Sequence, residues 1–227
     1  MLHYLNAARA RMRESLPDIL KLRKERVQKD DGSYVTTGDL AMQEMLLALA
    51  SKMLPEARIV SEERSSYENA GVTDGEIIVI DPIDGTENFT IGLPMWGVAI
   101  SCFRSGRHEA SMLACPELNE WMVTGEVGPP IYQSRVRSLS SSLSKEEILD
   151  ATSGYEYRIL GCCVYNMMSV IRGSFRSFEN PKGAWSWDIL PGLNLALEAG
   201  LPVIVEDQSY AGQYLTPDRK YRFKVGR

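Results

Sequence analysis

Leu2, Leu5, Ala8, Met12, Leu16, Ile19 and Leu20 recur at near-helical spacing, which predicts an amphipathic helix over residues 2 to about 26. Pro17 falls inside the pattern and predicts a kink or a division. The run Lys21-Leu22-Arg23-Lys24-Glu25-Arg26 predicts a solvated helix end, because positive charge suits a helix C-terminus. Asp31-Gly32 is a hairpin signal leading into a short strand, Tyr34-Val35-Thr36. A second helix follows, with Thr37 as its cap and Leu40, Met42, Met45, Leu46, Leu49 and Met53 along it. Pro55 stands just beyond its end.

The pattern then shortens. Arg58-Ile59-Val60-Ser61 predicts a strand running into Glu62 and Glu63, and the polar residues 64–75 predict a loop or flap. Ile77-Ile78-Val79-Ile80 is continuously apolar, as expected of a strand buried on both faces. It ends at Asp81-Pro82-Ile83-Asp84-Gly85-Thr86. Trp96 to Phe103 and Trp121 to Thr124 predict further strands, and the serine-rich residues 134–145 an exposed loop. Tyr165 to Ile171 belongs to a helix beginning near Gly161. Ile189 to Ala199 predicts a helix stopped by Gly200, and Val203-Ile204-Val205 a late strand. There is no internal repeat and no long linker.

Composition narrows the class. With 227 residues, 44% of them hydrophobic and 24% charged, the chain suits one large domain or two intimate small ones. A formal net charge of −5 disfavours nucleic acid as a bulk partner. It does not disfavour a small anionic substrate, since a bound cation reverses the local field. No run of about 20 apolar residues predicts a membrane span, and the N-terminal stretch does not read as a signal peptide. Cys102, Cys115, Cys162 and Cys163 form no CxxC pair, and the adjacent pair is awkward to bridge. Free thiols in a reducing cytoplasm are expected. The sequon Asn88-Phe89-Thr90 is then accidental.

The chemistry concentrates where the buried strand ends. Asp81 and Asp84 flank Pro82, which stiffens the turn, and precede Gly85, which allows close backbone approach. Such a carboxylate pair repels unless a cation lies between them. Mg²⁺ takes about six oxygen ligands, and both side chains with the Ile83 carbonyl offer part of that shell. A turn whose aspartates merely cap backbone groups is the competing reading. Glu62 at the end of one strand and Asp188 before a later helix weigh against it, since four acids at element ends can converge on one cleft. Backbone N–H groups from Gly85 to Phe89, opening a helix, would suit a phosphate. Haloacid-dehalogenase phosphatases carry Asp-x-Asp-Gly-Thr with a nucleophilic first aspartate. Here two residues separate the aspartates, which points instead to metal ligation and direct attack by water.

DPIDGTENF (81–89) resembles the DPIDGTxNF signature of the inositol monophosphatase superfamily. SEER (61–64), VTTGDLAMQEML (35–46) and WDILPGLNLALEAG (187–200) are similar to three more of its segments, in the family order. The resemblance implies an α-β-α-β-α layered α/β sandwich shared with fructose-bisphosphatase, and a Mg²⁺-dependent, lithium-sensitive, often dimeric phosphatase. It implies that Glu62, Asp81, the Ile83 carbonyl, Asp84 and Asp188 ligate two Mg²⁺ ions. Asp39 would hold a third ion or the attacking water, Thr86 would orient that water, and the Gly85 and Thr86 amides would contact the phosphate. Lys29 lies in a KxDGSxVT pattern and would face the site. Glu179 falls near the place of a sugar-contacting glutamate, although the local spacing also fits a surface loop. Pro191 and Leu201 depart from the second signature without removing a ligand.

The implied organisation is a metal-binding half, 1–126, and a substrate-side half, 127–227, the latter shortened relative to other members. The expected function is hydrolysis of a small inositol, sugar or polyol phosphate by a cytoplasmic homodimer. A 3′(2′),5′-bisphosphate nucleotidase and a non-enzymatic regulator keeping the fold are the alternatives.

Overall fold

The computed structural model describes residues 1–28, 34–63, 71–152 and 156–227. Helix α1 (Leu2–Lys21) carries Pro17 within it and buries Tyr4, Leu5, Ala8, Met12 and Ile19, largely the stripe that the spacing predicts. It ends earlier than expected because Arg26–Gln28 forms a strand, β1, paired antiparallel with β2 (Tyr34–Thr36). The intervening Asp31-Gly32 and Lys29 lie outside the described residues. The basic run is only partly solvated. Arg23 bonds Glu117 at 2.8 Å and sits 5.0 Å over the Phe89 ring, so it tethers the segment to the body of the protein. Helix α2 (Thr37–Met53) is capped by Thr36, one residue before the expected cap. Thr36 Oγ1 accepts from the Asp39 N–H at 3.1 Å, and Asp39 Oδ2 accepts from the Thr36 N–H at 2.8 Å.

The first sheet has five strands in the order β3-β4-β5-β6-β7. These are β3 (Arg58–Ser61), β4 (Glu76–Asp84), β5 (Gly97–Arg104), β6 (Arg107–Cys115) and β7 (Glu120–Val123), with the short helix α3 (Thr86–Ile91) after β4. Only β3 and β4 run parallel. The second half adds β8 (Arg137–Leu139), α4 (Lys145–Ala151), β9 (Tyr157–Arg158), α5 (Cys163–Arg172), β10 (Ser177–Ala184), α6 (Ser186–Glu198), β11 (Val203–Val205), β12 (Gln208–Ser209) and β13 (Tyr221–Gly226). Its strands form a six-stranded sheet in the order β12-β11-β13-β10-β8-β9.

Both faces of β4 are buried, and its period-two alternation divides it between two cores. Ile77 and Val79 join α5, α6 and the second sheet. Ile78 and Ile80 join α1 and α2. The layers therefore run helices, sheet, helices, sheet, the first four of the five layers expected. Beyond the second sheet lies little helix: α4 buries no residue, and Ala151 at its end lines a cavity with Glu179 and Lys224.

The region 134–145 is not all loop. It contains β8, with Ser138 and Leu139 fully buried. Three residues within a serine-rich run carry no periodicity that distinguishes a strand from a loop.

Candidate active site

A polar cleft of about 220 Å³ opens at the end of β4, lined among others by Glu62, Asp81, Ile83, Asp84, Gly85, Thr86 and Asp188. A regular strand would turn Asp81 and Asp84 to opposite faces, since they are an odd number of residues apart. The pairing with β5 shifts between them: Asp81 lies opposite Ala99, and Asp84 opposite Gly97. This bulge inserts one extra residue and returns Asp84 to the face of Asp81, while Ile83 packs into the opposite core. Glu62 follows β3, which runs parallel to β4 with Ser61 beside Ile80, and its N–H bonds the Ile80 carbonyl at 3.3 Å. It thus comes level with Asp81. Asp188 sits in the first turn of α6, where its Oδ2 accepts from the Trp185 N–H at 3.0 Å.

One carboxylate oxygen from each of Glu62, Asp81 and Asp188 lies within 4.8 Å of the others. Asp84 lines the same cleft but is held aside. Its Oδ2 accepts from the Cys162 thiol at 2.9 Å and from the Val164 N–H at 2.5 Å. Burial raises the Asp81 carboxyl well above its ordinary range, and Glu62, Asp84, Asp188 and Asp39 raise it further. Asp188 is raised for the same reasons, burial first and then Glu62 and Asp84, against the pull of the Trp185 N–H and Lys220. Burial lifts Asp84 to about 6 despite its three donors. Asp81 Oδ1 is buried and accepts no hydrogen bond from the described residues. An orphaned carboxylate oxygen among like charges is the environment a cation relieves. The gathered donors are hard oxygens, which suit Mg²⁺. Burial holds the neighbouring Cys162 and Cys163 thiols well above their ordinary range, and so protonated.

Asp39 is fully buried and does not line the cleft, but reaches it through Thr86. Thr86 Oγ1 is 3.2 Å from both Asp39 Oδ1 and the Ile83 carbonyl. Thr36 holds Asp39 from below through its N–H and its hydroxyl. Gly85 has φ 79°, and a Cβ there would stand 3.0 Å from both the Gly161 carbonyl and the Cys162 Cβ, so glycine fits the position.

Glu179 is not brought to this site. On β10 its neighbours Phe178 and Asn180 line the cleft, and the pleat turns Glu179 to the outer face, 3.6 Å from Lys224. The structure adds residues that sequence reasoning did not single out. Cys162 and the Val164 amide hold Asp84, and Lys220 and Ser140–Ser142 stand in the wall. No local motif marks them, because their place depends on how β13 and the loop after β8 cross the mouth of the cleft.

Acids gathered in a polar cleft, Asp81 buried and Glu62 and Asp188 half-buried, inside this layered fold, support a metal-dependent phosphatase. The chain belongs to the inositol monophosphatase family, whose sequence profile matches residues 3–224. It is 28% identical over 200 residues to a fructose-1,6-bisphosphatase/inositol-1-monophosphatase of Thermotoga maritima, covering 78% of this chain and 74% of that one. It is also 28% identical over 214 residues to the Nus factor SuhB of Pasteurella multocida, covering 83% and 77%. An IMPase/NADP phosphatase solved with Mg²⁺ and phosphate superposes with a TM-score of 0.77 at 19% identity, over 96% of this chain and 86% of that one. No described helix is long and apolar enough to cross a membrane.

Proposed function

We propose that this chain hydrolyses a small phosphate monoester, an inositol, sugar or polyol phosphate, with Mg²⁺ bound by the acids of the cleft. The observation that carries the reading is the meeting of carboxylate oxygens of Glu62, Asp81 and Asp188 within 4.8 Å of one another, at an aspartate whose Oδ1 is buried and has no hydrogen-bond partner among the described residues. Glu62, Asp81 and Asp188 would hold the cation, with Asp84 and the Ile83 carbonyl as further oxygen donors lining the same cleft. Bound Mg²⁺ supplies positive charge that polarises the ester phosphate and acidifies a water. The Gly85 and Thr86 amides, next to one another at the turn, contact the phosphate oxygens. Thr86 Oγ1 has one proton to give. When it donates to Asp39 Oδ1, its lone pairs are free to accept a hydrogen bond from water and so orient that water for attack. Asp39 thereby acts through Thr86, at 3.2 Å.

A panel of inositol, sugar and polyol phosphates, assayed with Mg²⁺ and then with excess chelator, tests the reading. Release of phosphate that requires Mg²⁺ is expected, and undiminished turnover in chelator would overturn the metal's part. A regulatory protein without catalysis is the second reading, favoured by the relative named a Nus factor. Tight Mg²⁺ binding with no hydrolysis of any ester in the panel would favour it.

A further inference from the structure

The turn that opens α5 is fastened to the turn that ends β4, and two side chains make the ties. Asn88 makes the first: its Nδ2 donates to the Leu160 carbonyl and to the Met95 carbonyl, at 2.7 Å each. Gly161 has φ 71°, and a Cβ there would stand 3.3 Å from Asn88 Oδ1, so the bare glycine lets the two turns nest. Cys162, 2% exposed, makes the second tie. Its Sγ accepts the Tyr165 N–H at 3.3 Å, which caps α5, and its thiol donates to Asp84 Oδ2 at 2.9 Å. One sulfur atom therefore joins the start of a helix in the second half to a carboxylate at the end of the first sheet.

The other donors to Asp84 are main-chain groups, the Val164 N–H at 2.5 Å and the Cys163 N–H. Cys162 is thus the one side chain among the described residues that bonds this carboxylate. The thiol and the Val164 N–H together take up the two lone pairs of Oδ2, which leaves Oδ1 as the oxygen a cation can take. A carboxylate fixed in this way before the cation arrives has less freedom to lose on binding it, and partners that orient a metal ligand act on affinity for that reason. The Asn88 bonds hold the two turns together without help from residue 162. A change at 162 therefore acts on Asp84 and on the cap of α5 more than on the meeting of the turns.

We infer that Cys162 is a positioning residue, whose thiol aims Asp84 and so sets how tightly the cleft holds its cation. The inference rests on the proposed reading of Asp84 as an oxygen donor to Mg²⁺, and adds to it a side chain that touches neither cation nor ester. The competing role is that of a helix cap alone.

The experiment is calorimetric titration of the full chain with Mg²⁺, beside melting in chelator, for wild type, C162A, C162V and C162S. Serine keeps a group that both donates and accepts, whereas alanine and valine keep neither. Valine also keeps the site filled if the alanine variant fails to fold. C162A and C162V should weaken Mg²⁺ binding by about tenfold to 100-fold, the usual cost of removing a partner that orients a metal ligand, and C162S should recover most of it. The Mg²⁺ concentration that half-saturates phosphate release should move in the same order. A lower Tm in chelator with unchanged Mg²⁺ affinity would show that Cys162 only caps α5, and would overturn the inference. So would a C162S that melts like wild type but binds Mg²⁺ as weakly as C162V. Mg²⁺ binding without turnover sinks the hydrolase reading alone, since the calorimetric comparison still decides for Cys162. A wild-type protein that binds no Mg²⁺ would overturn both.

Discussion

Asp81 and Asp84 do different work although they share one turn. Asp81 offers a buried oxygen without a hydrogen bond, whereas Asp84 is fastened by the Cys162 thiol and the Val164 amide. Asp81→Asn removes one charge from a crowded set while keeping the shape. Turnover should fall by at least about 10³-fold, and the metal-free protein should gain about 1–2 kcal/mol from lost repulsion and desolvation. For a domain of this size that is a Tm rise in chelator of roughly 2–8 °C. A variant with near wild-type turnover would show that Asp81 is only a turn residue. Asp84 carries a pH signature. Its folded carboxyl titrates near 6 against an ordinary 3.8, so the folded state holds the proton more tightly than the unfolded one. Stability from this group is therefore greatest below about 4 and declines as pH rises toward 6. His108 works in the opposite sense: burial lowers it from 6.5 to about 4, so its contribution is lost as pH falls through that range. A comparison with Asp84→Asn isolates the aspartate. In chelator, the variant's Tm advantage over wild type should widen between pH 4 and pH 7, and a flat difference would remove the proposed cause.

At the scale of elements, close packing fixes where the carboxylates stand. Helices α5 and α6 lie between the two sheets, and they meet where Gly192 faces Met167. A Cβ on Gly192 would come within 2.5 Å of Met167 Cγ and 2.9 Å of its Cβ. Helix propensity favours alanine over glycine by about 1 kcal/mol. Overpacking a core costs about 1–3 kcal/mol. The clash involves atoms near the methionine backbone, which have little room to turn aside, so packing should win. Gly192→Ala is expected to lower Tm by a few degrees and to reduce turnover, because α6 carries Asp188 and α5 carries the Val164 amide that holds Asp84. A Tm above that of wild type would show that the helices have slack. Elements with strong periodicity were legible in sequence: β3 was bounded to the residue, and β4 was read as doubly buried from Ile77 to Ile80. Strands β10 and β13 were not read. The first contains Asn180-Pro181-Lys182-Gly183, whose turn chemistry hides a strand with a bulge, and the second alternates over only six residues. Glu179 stays open in sequence, between a sugar contact and a surface position, for the same reason, since its side of the sheet follows from a register that the sequence does not display. The convergence of Glu62, Asp81, Asp84 and Asp188 was legible because each acid ends or opens a readable element. Lys220 precedes a strand that was not read, and so it was missed.

For the whole molecule, the cleft is where separate layers meet. Glu62, Asp81 and Asp84 come from the first sheet, Asp188 from the helix layer, and Lys220 from the segment entering the second sheet. Without a cation, the repulsion among the acids acts between the first sheet and α6. A bound cation converts it into attraction across the same boundary. Binding to the folded state alone stabilises by RT ln(1 + [L]/Kd), about 2.7 kcal/mol when Mg²⁺ is present at 100 times its Kd. The unfolded chain brings no such set of acids together, so that gain should appear almost whole. At roughly 2–4 °C per kcal/mol for a domain of this size, Tm should rise by about 5–11 °C between chelator and saturating Mg²⁺. Screening of surface charge also stabilises an acidic protein, so the control is a monovalent salt of equal ionic strength, which should give only a small part of the rise. Asp81→Asn should flatten the Mg²⁺ response while starting from a higher Tm in chelator. Equal melting in Mg²⁺, in the monovalent control and in chelator would mean that the four acids do not hold a cation together, and the metal-dependent reading of the cleft would fall with them.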